Sequence, residues 1–514
     1  MSRPAARSSS LALGWVTAVA VAAASGLVSV LLLTVPVGGG STVAGTAQRV
    51  VFVRAPRESV PALGDPAALR DPYPSGSEIV VWDAERPREP ARLLSRGFIA
   101  AGAPRVSPDG THVLFCGREA AGASWRIFEV PIEGGRARAV SPAEADATAA
   151  AYLPDDKIVF ACDLEGGHDP RDGGPATSLF TCRRDSSDLQ RITFNPASDV
   201  DPTVLADGRV LYAAWQPPGV GRERGGWGLM TVLNDGTGVA SFYGSHESPE
   251  WKRRPREIGA AVFFAAAGAT AQEQRLRSVA MRRPLKSLVR VGGEAGGAWR
   301  SADGWDDGRL LVSYRPPGGE DAGASFGLYL AAAGGAGEPQ PLLDDPDLDE
   351  LDAVAARPRA PARGHVSSVD PKADSGQLLC IDARLSDLAP APHEGSSRAE
   401  SLLVYRAAAE SGSPAVGPAL NVPSELLGRL PLREDGSVFF EVPADTPLRF
   451  VTIDAQERVL RDSQGWVWIR PWERRICIGC HEDRETAPPN RVPMALLDEP
   501  PAPLKLELCD EASR

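Results

Sequence analysis

Ser107-Pro-Asp-Gly-Thr-His-Val-Leu-Phe-Cys-Gly-Arg-Glu119 sets an Asp-Gly turn directly before a run of β-branched and aromatic residues. Asp-Gly favours the left-handed backbone of a tight turn, and the run behind it reads as one strand of a hairpin. The pattern returns as LPDDKIVFACDLE from Leu153, LADGRVLYAAW from Leu205 and WDDGRLLVSYR from Trp305. These turns centre on Asp109, Asp155, Asp207 and Asp307, at gaps of 46, 52 and 100 residues, the last equal to two periods. The skipped copy is RPREIGAAVFFAAAG from Arg254, with a degraded turn at Glu257-Ile258-Gly259. An earlier degraded copy, GTAQRVVFVR, begins at Gly45. Units of this length holding about four short strands are the mark of propeller blades. The expectation is an all-β chain with a six-bladed β-propeller over residues 45–361. The strand near Arg49 either closes the ring against the last unit or leaves it open.

Within these copies, APRVSPDGTHVLFCGRE followed by WRIFEVPIEGG resembles the PD40-type blades of TolB-like propellers. A propeller is a platform and names no chemistry by itself. Gly323-Ala-Ser325-Phe-Gly327 has the letters of a nucleophile elbow, but an elbow needs a strand-to-helix turn in an α/β sheet. GASWRIFEV from Gly122 occupies the same place in an earlier unit, so Ser325 reads as a repeat element. The acidic run from Asp344 to Asp352 lacks the glycine and spacing of a calcium loop and reads as a solvated loop before a Pro/Ala linker.

The chain of 514 residues has 55 Lys and Arg against 67 Asp and Glu, a net charge of −12. A nucleic-acid backbone is repelled on average, so nucleic acid is not an expected partner. Arg3 and Arg7 precede an uncharged apolar run from Leu11 to Val37, and no charge follows until Arg49. A helix of that length reaches roughly 40 Å and can span a hydrocarbon core of about 30 Å. Residues 11–37 therefore read as a transmembrane helix behind a cytoplasmic stretch 1–10, or as a signal peptide cleaved after the small residues Ala22 to Ser25. Either reading exports the body to the periplasmic side, and the first anchors it to the inner membrane. Seven cysteines are too few for a disulfide scaffold in a chain this long. Cys162 and Cys182 flank a Gly/Pro/Asp-rich loop and either pair across a hairpin or stay separate buried thiols, while Cys116, Cys380 and Cys509 show no evident partner.

Residues 362–514 keep a β pattern, with EDGSVFFEVPADTPLRFVTIDAQERVL alternating around turns at Asp435-Gly436 and Pro443-Ala444-Asp445. A β-sandwich-like domain is expected here. It leads into SQGWVWIRPWERRICIGCH, where an extended backbone would put Trp466, Trp468, Arg470 and Trp472 on one side. That side would be either a wall for a flat cofactor or a domain core. Cys477-Ile-Gly-Cys480-His481 is the signature of a c-type haem: two thiols for the vinyl groups and an imidazole for the iron, delivered by one turn. A thioredoxin-like redox pair would need a βαβ setting, and a zinc site would need a fourth ligand nearby. Export supplies the compartment for covalent attachment. One haem c is expected, on Cys477 and Cys480, with His481 as proximal ligand. Met494 is a candidate distal ligand, beside His112, His168, His246, His365 and His393. Arg470, Arg474, Arg475 and Arg484 are candidates to neutralise the propionates.

GRLPLREDGSVFFEVPADTPLRFVTIDAQ, followed by WVWIRPWERRICIGCHEDRETAPPNR, resembles the haem-bearing middle domain of the hydrazine synthase alpha subunit family, in which a propeller also precedes this domain. The resemblance covers residues 45 to 495 and implies that Cys477 and Cys480 carry the thioethers and His481 binds the iron. It also implies further subunits. The family's namesake has a tyrosine just past the motif, crosslinked to its catalytic haem, and a later domain with a second C-x-x-C-H. Here HEDRETAPPN holds no tyrosine, and Glu485 stands one helical turn past His481. Electron transfer with an unidentified redox partner protein, or other haem redox chemistry, is the expected function. A propeller binding module without haem and a small-nitrogen-compound haem enzyme are the alternatives.

Overall fold

The computed structural model describes residues 15–24 and 27–36, and residues 49–504 apart from 58–59, 166, 170–172, 217–224, 245–250, 268–273, 293–295, 307, 319–324, 336, 387–396, 409–421, 464, 481–486, 498–500 and 503. The chain divides into two units, Met1–Ala47 and Gln48–Arg514. In the first, Trp15–Ala24 and Leu27–Pro36 form an antiparallel pair from Trp15↔Pro36 to Ala24↔Leu27. This differs from the helix expected over 11–37. Val and Thr recur through both strands and favour extended backbone, and pairing satisfies the peptide groups as a helix would. No helix among the described residues is long and apolar enough to cross a membrane.

The second unit opens with six four-stranded antiparallel blades. Their inner strands are Leu348–Ala356 for blade 1, Ala100–Val106 for blade 2 and Ala147–Leu153 for blade 3. Asp199–Val204, Trp251–Ile258 and Ala298–Asp306 serve blades 4 to 6. The turns at Asp109, Asp155 and Asp207 each join an inner strand to the next one outward. At the first, Asp109 Oδ1 accepts Thr111 N–H at 3.0 Å and Gly110 takes φ 77°. The ring is closed. The last inner strand pairs antiparallel with Arg49–Pro56, from Leu348↔Pro56 to Ala356↔Arg49, so the two ends of the propeller share one sheet.

That closure corrects the reading of Asp344 to Asp352 as a solvated loop. Asp349, Glu350 and Asp352 are buried in the closing strand at 4%, 2% and 4% exposure. Asp349 accepts Phe326 N–H at 2.7 Å and Asp352 accepts the Tyr73 hydroxyl at 2.6 Å, while burial raises the Glu350 carboxyl to about 8. Ser325 sits on the approach to the strand Gly327–Ala332, its hydroxyl donating to the Asp345 carbonyl at 3.1 Å, so it belongs to a blade. Cys162 and Cys182 are free thiols on neighbouring strands. Cys162 lies opposite Ser178 and Cys182 opposite Ile158, which separates them by about 13 Å along the hairpin. Burial pushes both thiols up to about 12.

The chain then crosses the face of the propeller through residues 357–374 and builds a two-sheet sandwich. One sheet has the order Val438–Pro443, Ser375–Cys380, Arg474–Cys477; the other holds Ser424–Pro431, Ser401–Ala407, Leu448–Ile453 and Val459–Asp462. Leu378 and Phe440 from the first pack against Leu402, Val404, Leu430 and Leu448 from the second.

Candidate functional site

Arg474–Cys477 is the edge strand of the three-stranded sheet and runs parallel to Ser375–Cys380, with Cys477 in register with Cys380. Beyond it the C-x-x-C turn is gripped by the backbone of residues 381–385. Ile381 N–H donates to Cys477 O at 2.9 Å, Asp382 N–H to Ile478 O at 3.0 Å, and Cys480 N–H to Leu385 O at 2.9 Å. Position 479 admits no side chain, since a Cβ there would stand 2.4 Å from the Leu385 carbonyl oxygen. Arg384 ties the gripping segment to its surroundings through the carbonyls of Ala399, Glu434 and Arg433 at 3.0, 2.8 and 3.1 Å. Cys477 is half-buried, Cys480 is 7% exposed, and both are thiols. Cys380, which had no evident partner in sequence, is thus the cross-strand neighbour of Cys477. His481, Arg484 and Glu485 lie outside the described residues.

The indoles upstream do not form one wall. Trp468 is fully buried among propeller residues that include Leu153, Val159, Tyr212 and Val232, and donates its indole N–H to Gly236 O at 3.0 Å. Trp466 is buried at 2% exposure. Arg470 pairs with Asp445 at 2.7 Å and lies 5.0 Å from the centre of the Phe194 ring. Glu473 accepts the Gly238 N–H at 2.9 Å, and Arg475 donates to Val239 O. Only Trp472, at φ 68°, faces solvent, with 63% exposure. Its left-handed backbone breaks the alternation that an extended reading assumed. The segment is the seal between the sandwich and the propeller, and Arg470 and Arg475 are committed to it. Arg474 remains exposed on the edge strand.

Met494 opens a short 3-10 turn, Met494–Leu497, and is 40% exposed. Its N–H donates to Asp435 Oδ2 at 2.9 Å, and Ala495 N–H donates to Ser437 Oγ at 2.9 Å, next to Val438. Val438 and Cys477 are both in register with Cys380, so Met494 stands at the same end of the sheet as the C-x-x-C turn. His112 and His168 belong to blades 2 and 3, and His365 is held 3.3 Å from Asp235 of the propeller. His246 and His393 lie outside the described residues. Among the described residues no group of three or more His, Cys, Asp and Glu could hold a metal ion.

The profile of the hydrazine synthase alpha subunit middle domain matches residues 392–482, which span the second sheet of the sandwich and the C-x-x-C turn. Hydrazine synthase subunit alpha of Kuenenia stuttgartiensis is 22% identical to this chain, covering 86% of it and 67% of the relative. The solved hydrazine synthase of Kuenenia stuttgartiensis superposes with a TM-score of 0.76 at 19% identity, over 88% of this chain and 72% of that one. TolB of Acinetobacter baumannii aligns at a TM-score of 0.40 and 12% identity, over 60% of this chain and 67% of its own. Residues 392–482 are thus similar to the hydrazine synthase alpha subunit middle domain, and the chain as a whole shares its fold with the solved hydrazine synthase.

Proposed function

We propose that this protein is an exported, single-haem c-type cytochrome-like protein that serves in electron transfer. The observation that carries the reading is the C-x-x-C turn itself: two thiols on a glycine-tight turn, fixed by three backbone hydrogen bonds at the edge of a sheet. Such a turn holds Cys477 and Cys480 in one fixed relation, which two thioether bonds to one porphyrin edge require. His481 follows directly as proximal ligand. Ile476 and Trp472, exposed at 66% and 63% on the same edge segment, are the apolar side chains available to cover a porphyrin face. Arg474 is the guanidinium free to meet a propionate. Haem bound here supplies one-electron redox chemistry, and the residues around it set exposure and charge. Met494 would be our candidate for a second iron ligand from this chain. The apolar segment 11–37 directs export to the periplasmic side, and a redox partner protein and further subunits complete the system.

A second reading is a small-nitrogen-compound haem enzyme related to hydrazine synthase. The superposition at TM-score 0.76 favours it, and it needs an open sixth iron position in place of Met494 ligation.

Expression beside a c-type maturation system, followed by haem staining on a denaturing gel and intact mass, tests the attachment. A covalent haem band that disappears in Cys477→Ala/Cys480→Ala is expected. Folded, colourless wild-type protein of apo mass would remove the haem reading and leave a propeller binding module. A ferric spectrum that changes in Met494→Ala supports electron transfer; an unchanged high-spin spectrum supports the enzyme reading.

A further inference from the structure

The axis of the propeller holds an arginine-rich cavity that the haem reading does not use. Every inner strand carries a register irregularity at the same level: Leu351/Val354, Gly102/Arg105, Thr148/Ala150, Val200/Thr203, Arg253/Arg256 and Trp299/Ser301 for blades 1 to 6. Five bulged residues adopt left-handed backbone: Asp352, Ala103, Ala149, Asp201 and Arg254, at φ 55°, 51°, 43°, 54° and 54°. None is glycine, so each is a strained conformation, and bulges re-aim side chains. Here they ring a cavity of ≈ 40 Å³.

Both mouths are covered. On one side Arg253 donates to Leu63 O at 3.2 Å and Arg300 to Pro61 O at 3.0 Å, while Tyr73 donates to Asp352. On the other, the connector after the closing strand crosses the blades: Arg359 N–H donates to Pro108 O at 2.7 Å and Arg363 N–H to Ala206 O at 3.1 Å. The charges lining the cavity are Arg105, Arg253, Arg254 and Arg256 against Asp201 and Asp352, with Arg300, Arg359, Asp303 and Asp349 around it. Arg253 takes Asp201 at 2.6 Å, Arg254 takes Asp352, and Arg359 takes Asp303 at 2.9 Å. Asp201, Asp303 and Asp352 are each taken by these partners, and Asp349 accepts the Phe326 N–H. Among the described residues Arg105 and Arg256 form no ion pair, and Arg105 Nε is buried with no hydrogen-bond partner. The two guanidiniums repel each other, and burial lowers Arg105 to about 10 and Arg256 well below the ordinary arginine value. Asp201 and Asp303 attract the two guanidiniums from a distance, but sheltered cations without a paired carboxylate are costly, and a bound anion reduces that cost.

We propose that the propeller axis is a binding site for one small oxyanion, held between Arg105 and Arg256. Planar guanidiniums match two-oxygen edges, which favours a carboxylate, carbonate or phosphate group over a spherical halide. The volume admits about three waters or one such anion, and excludes a nucleotide or sugar phosphate.

Full-length protein, with its haem state fixed, is titrated with formate, bicarbonate and phosphate against chloride at constant ionic strength, by calorimetry and thermal unfolding. The expected result is saturable, one-to-one binding of at least one oxyanion, weakened ten-fold or more in Arg256→Gln and in Arg105→Gln. Arg256→Lys, which keeps the charge and loses the fork, retains part of the affinity. Arg256→Gln also melts higher than wild type in oxyanion-free buffer, because a repelling charge is gone. The proposal fails if the oxyanions act no differently from chloride, or if wild type and both Gln variants bind equally. It also fails if Arg256→Gln melts lower without an oxyanion, since Arg256 would then be a structural residue. The formate and phosphate arms separate a carboxylate ligand from an inorganic one.

Discussion

Gly479 is the residue on which the C-x-x-C turn depends. A methyl group there meets the Leu385 carbonyl at 2.4 Å, and that oxygen also accepts the Cys480 N–H. Backbone cannot step aside as a flexible side chain could, so the turn itself must open. Gly479→Ala is expected to cost about 1 to 3 kcal/mol. The fraction of protein carrying covalent haem should fall with it, read by the ratio of haem stain to protein on one gel. Unchanged haem loading would mean the grip on the turn does not govern attachment. The cysteines and histidine of this site are legible in sequence because their chemistry is local. The grip is not, because residues 381–385 reach the turn only through the sheet.

At the level of the element, the inner strand of blade 4 carries the clearest pH signature. Asp199 is buried, its Oδ1 accepts from Asn195 at 3.0 Å, the Thr193 side chain also favours its charged form, and its Oδ2 is unsatisfied among the described residues. Burial raises the carboxyl from 3.8 to about 7. Between those values the unfolded chain loses its proton while the folded chain keeps it. This group's contribution to stability therefore falls as pH rises through that window and levels off above it. Asp199→Asn removes the loss and should stabilise the protein at pH 8 by on the order of a few kcal/mol, with little effect at pH 4. Denaturant unfolding at both pH values checks this, and equal differences at the two would contradict it. The closing strand Leu348–Ala356 shows how elements can be misread. Its acids suggest a loop until Tyr73, Phe326 and Arg254 are seen to satisfy them.

For the whole molecule, the join between propeller and sandwich rests on Trp468. Its indole fills a propeller cluster and bonds to Gly236 O, while Glu473 and Arg475 bond to Gly238 N–H and Val239 O nearby. Trp468→Ala is expected to cost about 3 to 5 kcal/mol and leave a cavity at the join. Calorimetry should then resolve two transitions where wild type shows one, because each half keeps its own core. A single transition with only a small shift would place the coupling elsewhere.

By itself the sequence determined what is written in local pattern. Repeated Asp-centred turns before alternating runs announce the propeller, and five consecutive residues bring two thiols and an imidazole together, because turn geometry and thiol placement need only near neighbours. Tertiary structure alone decided what depends on partners far apart in the chain. It closed the ring by pairing Leu348–Ala356 with Arg49–Pro56, placed Cys380 beside Cys477, and put Trp468 and Arg470, open between cofactor wall and core in the sequence, into a seal. It also gathered Arg105 and Arg256 at one axis with no ion-pair partner among the described residues. The physical reason is common to all of these. Burial and charge balance are properties of the assembled environment, and no window of sequence contains it.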